Sequence, residues 1–291
     1  MRILVTASGS FQEAELLSLM LTSAGHDVLL GTPEEGAVFH PDVTVCYGPA
    51  VVTLPDSPVV SVISSGTGRY LSPADVHVFS GRSLVPPGFQ GRAVVIPHAV
   101  DTRKFTPAGK SGEKIIIAPG KLNPEQGHKT LIRAMHLVKP DYNAVFVGEE
   151  GYYSIQQMNS YAREIGVGDR VQFSGGVEYL HSFSASVAVG VVTGYSRQLE
   201  IDNVIELMAS GVPLLVAAAD WSRDIVTDGV TALFHSPGNW KQLAGQINHL
   251  IENSGLCDML SGNAREYCVK HLSFESVGQR WTEVLEQLSF G

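Results

Sequence analysis

The feature that most constrains this chain is a regular exchange of two periodicities along its second half. Short β-branched runs, "KIIIAPG", "NAVFVG", "RVQFSG", "VAVGVVTG" and "PLLVAA", alternate with stretches of helical spacing. Those stretches are "EQGHKTLIRAMHLVK", "IQQMNSYAREIG", "NVIELMASG" and "NWKQLAGQINHLIENS". A run that is apolar on both faces needs cover on both faces, and the intervening helices supply it, so a parallel sheet is expected. The first half repeats the theme with less helix. "RILVTA", "AGHDVLLG", "DVTVCYG", "VVSVIS", "DVHVFS" and "AVVIP" read as strands, and a helical pattern through Leu16, Leu17, Leu19, Met20 and Leu21 follows the first of them.

The expected fold class is therefore α/β, with two Rossmann-like domains facing across a cleft. The first spans residues 1–105 and a polar linker, "TPAGKSGEK", spans 106–114. The second domain covers 115–270. A last helix within 271–291 carries Val277, Trp281, Val284 and Leu288 on one stripe and is expected to pack back on the first domain.

Composition excludes several alternatives. With 44% hydrophobic and 17% charged residues the chain is globular. Its longest apolar runs fall well short of a bilayer, and "MRILVTASGS" is too short for a signal peptide, so a cytoplasmic protein is expected. Cys46, Cys257 and Cys268 show no paired or zinc-type spacing and read as free thiols. The net charge of −9 argues against a broad nucleic-acid surface. Neither half carries G-x-G-x-x-G after its first strand, which counts against a dinucleotide-dependent dehydrogenase.

In open α/β sheets, ligands sit at the carboxyl ends of the strands, where helix N-termini point. The helix after "VAVGVVTG" is expected to begin near Asp202–Asn203, offering free amides and a positive dipole end to an anion such as phosphate. Glu206 lies three residues after Asn203, in "NVIE". That spacing admits a capping box, and also a carboxylate that accepts hydrogen bonds from two ribose hydroxyls. Spacing alone favours the cap.

The neighbouring segments change that balance. "IPHAVDTRKF", "PGKLNPEQGHKTLIRAM", "GVGDRVQFSGGV", "VIELMASGVPLLVA" and "DIVTDGVTALFHSPGN" occur in this order. Together they resemble the retaining glycosyltransferases of GT-B fold, specifically the large family 4, over about residues 75–250. The resemblance implies a nucleotide-diphosphate sugar as co-substrate, UDP-sugars being the favoured donors, with neither a cofactor nor a metal. It implies that Glu206 holds the donor ribose and that Asn203, Val204 and Ile205 form the helix start whose amides meet the diphosphate. Lys121 matches the basic residue that neutralises the diphosphate, and Gly120 lets the backbone approach it. Asp224 matches an acidic position in the loop before "DGVTALF".

The sequence also departs from that family. The first glutamate of its paired motif falls on Gln198, with Glu200 as the alternative after a two-residue deletion, and this carboxylate touches the transferred sugar. The second basic residue falls on Gln126; Lys129 starts on a different face of the helix and is a poor substitute, and Arg197 and Arg223 are the alternatives. The histidine that the family carries near the reacting sugar is absent from "VVSVISSGTGRY", and His77 and His98 read as structural. Glycine-rich loops at Ala7–Ser10 and Ser64–Gly68 read mostly as tight turns. The first domain is shorter than the family norm, which suits a polymeric acceptor docking from outside, hydroxymethylated DNA being one option, or a second subunit completing a homodimer.

The leading expectation is thus a metal-independent hexosyltransferase. A catalytically impaired nucleotide-sugar-binding or regulatory module is the alternative, and a sugar-nucleotide epimerase of the same fold is weaker.

Overall fold

Every β-branched run quoted above enters a parallel strand in a computed structural model, which describes residues 1–7, 11–47, 54, 57–63, 73–107, 114–175, 187–195 and 200–289. The chain divides into two units, Met1–Ala99 with His271–Gly291, and Val100–Lys270.

The first unit contains β1 (Arg2–Ala7), α1 (Phe11–Ser23), β2 (Asp27–Leu30), α2 (Pro33–Phe39), β3 (Val43–Tyr47), β4 (Val59–Ile63), β5 (Val76–Phe79) and β6 (Ala93–Val95). Its strands form one parallel sheet in the order β2-β1-β3-β4-β5-β6. The helix α2 has no counterpart in the sequence reading, because only Gly36 of its residues is buried and no apolar stripe announces it. Its ends make it instead. Thr32 accepts from the Glu35 amide, the Glu35 carboxylate accepts from the Thr32 amide, and Pro33 opens the first turn.

The second unit runs β7 (Ile115–Pro119), α3 (His128–Ala134), β8 (Asn143–Val147), α4 (Ile155–Glu164), β9 (Val171–Ser174) and β10 (Val187–Val192). It continues through α5 (Glu200–Ala209), β11 (Leu214–Ala217), α6 (Asp220–Arg223), β12 (Leu233–His235), α7 (Trp240–Glu252) and α8 (Ser254–Tyr267). Its sheet, again parallel, has the order β12-β11-β10-β7-β8-β9. The first three strands step outward in one direction, and β10 then returns to the free side of β7. This is the doubly wound Rossmann order, with its switch point between β7 and β10. The strands bury Ile116, Phe146, Val189 and Leu215 against Leu131, Ile132, Met158 and Ile247 of the helices.

Two local corrections follow from turn chemistry. The expected helix over "EQGHKTLIRAMHLVK" is cut at Gly127, whose φ is +67°, leaving one 3-10 turn at Pro124–Gln126 before α3. The segment after α3 is closed by Arg170 of "GVGDRVQF". Its guanidinium donates to the carbonyls of Met135 (2.7 Å), Lys139 (2.7 Å), Tyr142 (2.9 Å) and Val138 (3.3 Å). That part of the motif serves the fold.

The boundary between the units falls at Ala99/Val100, ahead of the expected 105/106, and Thr106 and Pro107 belong to the second unit. Residues 108–113 of the expected linker lie outside the described residues. Asp101 Oδ1 accepts from the amides of Arg103 and Lys104, forming a tight turn. Arg265 of α8 then ties that turn to the end of α5, donating to Phe105 (2.6 Å), Ala209 (2.7 Å) and Thr102 (2.9 Å) carbonyls.

The last helix, α9 (Phe274–Ser289), belongs to the first unit, where Val277, Trp281 and Leu285 share a core with Leu17 and Leu21 of α1. A hydrogen bond between His26 Nε2 and Thr282 Oγ1 (3.1 Å) and one from Arg92 to Gln287 (2.6 Å) fix it there. Among the described residues no helix is long and apolar enough to cross a membrane.

Candidate functional site

At the switch point of the second sheet, the segments leaving β7 and β10 are bolted together. The Thr193 hydroxyl donates to the Gln126 carbonyl (2.6 Å), and the Tyr195 amide donates to the Glu125 carbonyl (3.1 Å). Gly127 completes the contact: a Cβ there would stand 2.7 Å from the Thr193 carbonyl oxygen. His128 is buried behind the junction, its Nε2 3.3 Å from the Pro119 carbonyl and its ring edge-on to Phe146. Burial pushes its pKa down to about 4, so the ring is neutral and Nε2 is its donor. His128 therefore supports the site and supplies no charge.

Gly120 follows β7 with φ +121°, a conformation that favours glycine. Lys121 comes next and is exposed at the carboxyl edge. On the opposite side of the switch point, α5 is described from Glu200, so Asp202 and Asn203 lie inside it, and Ile201 joins the buried stripe of Val204, Ile205 and Met208. Val204 and Ile205 lie four residues after Glu200 and Ile201, inside the helix; residues 196–199, which precede it, lie outside the described residues. Among the candidate residues of this loop, Arg197 and Gln198 lie outside the described residues, as does the side chain of Glu200. Ser8–Ser10 and Ser64–Gly68 of the two glycine-rich loops also lie outside them.

Glu206 now sits in the second turn of α5, so it cannot close a capping box with Asn203. Its carboxyl is mostly buried, and burial, followed by the nearby Asp202 carboxylate, pushes its pKa up to about 7; Lys104 opposes the shift. Carboxyl groups with raised pKa values are enriched at functional sites, and Glu206 has no capping role.

The replacements for the second cation resolve differently. Gln126 is buried, 1% exposed, and no partner for its Oε1 exists among the described residues. Lys129 places its ammonium over the rings of Tyr153 (4.2 Å) and Tyr161 (5.1 Å), so it is committed elsewhere. Arg223 stacks on Phe234 at 5.2 Å, and Asp224 closes α6. His77 lies inside β5, edge-on to Phe89, in the first unit. Thr193, which locks the two loops, had no signal in the sequence, since a threonine after a strand is commonplace. Among the described residues no group of three or more His, Cys, Asp or Glu is arranged to hold a metal ion.

Known proteins agree with this architecture. The glycosyl transferases group 1 family matches residues 100–267. An uncharacterized glycosyltransferase of Methanocaldococcus jannaschii is 24% identical over 174 residues, 59% of this chain and 44% of that protein. The lipopolysaccharide core biosynthesis glycosyltransferase LpsE of Rhizobium meliloti is 26% identical over 200 residues, 68% of this chain and 56% of that protein. The chain spans about half the length of the curated relatives it matches. Among solved structures, a sucrose-phosphate synthase from Thermosynechococcus elongatus superposes with a TM-score of 0.82 at 17% identity, covering 99% of each chain. Anabaena Alr3699/HepE in complex with UDP gives 0.77 at 16% identity, covering 99% of this chain and 100% of that one. The two parallel α/β sheets are those of the GT-B fold, and the chain belongs to the glycosyl transferases group 1 family.

Proposed function

We propose that this protein transfers a sugar from a nucleotide-diphosphate sugar, with a UDP-sugar first in line, and with retention of anomeric configuration. The observation that carries the reading is the constellation at the β7/β10 switch point: Gly120 and Lys121 on one side, the start of α5 and Glu206 on the other. Lys121 and the free amides of α5 neutralise the diphosphate, and the Glu206 carboxylate accepts the two ribose hydroxyls. The anomeric C–O bond to the diphosphate breaks while the acceptor oxygen bonds the same carbon from the same face. The departing phosphate oxygen takes the acceptor proton, so no covalent intermediate is needed. Positive charge built into the fold stabilises the leaving group without a metal. Gln198 or Glu200 contacts the transferred sugar in this reading. The UDP complex of the Anabaena protein supports the choice of base.

A second reading, a nucleotide-sugar-binding module that no longer transfers, is favoured by Gln126, a neutral amide where a second cation is expected. A thermal-shift series with UDP, GDP, ADP and their hexose conjugates, followed by donor hydrolysis, separates the two. Ligand at a hundred times its Kd stabilises by about 2.7 kcal/mol, a visible shift. Binding with slow hydrolysis supports the enzyme, binding without turnover supports the module, and no binding defeats both. Lys121→Ala is expected to weaken UDP binding about tenfold, the low end for one charge-assisted contact at an exposed site. Its unliganded melting temperature should match the parent, because Lys121 is exposed. Unchanged affinity would remove Lys121 from the donor site.

A further inference from the structure

The loop that follows β8 offers an aromatic ring to solvent and holds it rigidly. Tyr152 is 74% exposed, more than any other Tyr, Phe or Trp among the described residues. Its ring meets Tyr153 perpendicularly, at 5.0 Å and 89°, and Tyr153 is itself rooted in the core of the unit and covered by the Lys129 ammonium. The backbone is pinned as well. The Tyr152 amide donates to Asn123 Oδ1 (2.8 Å), the Tyr153 amide to the Leu122 carbonyl (2.9 Å), and the Leu122 amide to the Glu149 carbonyl (2.9 Å). The backbone beneath the ring is thus fixed by three hydrogen bonds while the ring itself stays exposed.

Its position is informative. Asn123, which holds Tyr152, lies two residues after Lys121, and β8 is the strand directly beside β7, about 4.8 Å away in a sheet. The loop that carries Tyr152 therefore leaves the carboxyl end of β8, next to the segment of Lys121 and on the side of β7 away from β10. On the opposite flank the described aromatic and histidine side chains are engaged: Trp221 is buried, Arg223 covers Phe234, and His235 is buried with Nε2 3.2 Å from the Val192 carbonyl.

We propose that Tyr152 is the platform on which the nucleobase of the donor stacks. This rests on the donor reading above. Stacking on an aromatic face is tolerant of base identity, since every base has a π-face, so Tyr152 contributes affinity for the nucleotide and little choice between bases.

Calorimetric titration of the full chain with UDP, GDP and inorganic diphosphate tests this, comparing the parent with Tyr152→Ala and Tyr152→Phe. Tyr152→Ala is expected to weaken both nucleotides roughly tenfold, to leave inorganic diphosphate unchanged, and to be rescued by Tyr152→Phe, which keeps the ring. If the parent binds UDP and Tyr152→Ala binds it equally well, the stacking role is wrong and the donor reading survives. Equal losses for nucleotide and diphosphate would also overturn it, because the ring would then be shaping the loop. So would intact nucleotide binding with a raised KM for the acceptor, which would assign the ring to the acceptor saccharide. A parent that binds no nucleotide at all removes the donor reading and this inference together.

Discussion

Replacing Glu206 by glutamine is expected to stabilise the free protein at pH 8 while weakening nucleotide binding about a hundredfold. The two effects share one cause. Burial beside Asp202 lifts the carboxyl from an ordinary 4.5 to about 7, so the folded state holds a proton that the unfolded chain releases. The folded pKa is raised, so stability is fullest below 4.5 and declines as pH climbs from 4.5 to 7. A tenfold difference in proton affinity between the folded and unfolded chain corresponds to about 1.4 kcal/mol, giving a decline of about 2–4 kcal/mol across that window. Glu206→Gln removes the charge and with it that decline; at pH 5 the variant and parent should differ little. Nucleotide affinity moves the other way, because the ionised carboxylate is the better acceptor for two hydroxyls. It should rise as pH passes through about 7, and the glutamine, with a single neutral acceptor oxygen, should lack that rise. Urea titrations at pH 5 and 8, with nucleotide titrations at the same values, read both. A variant that is neither stabilised at pH 8 nor impaired in binding would place Glu206 outside the site.

Arg170→Ala is expected to cost the second unit about 3 kcal/mol without touching the donor site. The guanidinium satisfies four backbone carbonyls in the segment between α3 and β8, a segment with no helix of its own to pair them. Hydrogen bonds to a charged donor contribute about 1.5–3 kcal/mol each and are far from additive around one group. Arg170→Lys should recover only part of the loss, since an ammonium cannot present the planar fork. The measurement is chemical denaturation followed by a probe in the second unit. If the alanine variant unfolds at the parent's midpoint, those carbonyls are equally well served by water.

How legible the site was differs residue by residue. Glu206, Lys121 and Gly120 were assigned to a donor site by the resemblance to the glycosyltransferase family; local strand-end signals by themselves put them only near the carboxyl edge of the sheet. α5 already includes Glu200, ahead of the expected Asp202–Asn203, and Ile201 reads as a loop residue until the core that buries it is known. The capping-box spacing of Glu206 was coincidental for the same reason: three residues after Asn203 means a cap only if the helix begins there. Lys129 could be discounted from helix geometry, but its engagement with Tyr153 and Tyr161 joins residues from α3, the loop after β8 and α4. Tyr152 gave no signal, since "GYY" in a loop has no periodicity to interpret.

The sequence by itself determined which segments become strands and which become helices, because alternation of apolar residues at periods of two and 3.6 is written locally. It determined the family too, through five short segments in a fixed order. Tertiary structure alone decided that β10 returns beside β7 to create the switch point, and which residues of α1 meet the stripe of α9 in the first unit's core. Those outcomes depend on which apolar faces find one another across scores of residues, and a local pattern specifies that a face must be buried without specifying against what.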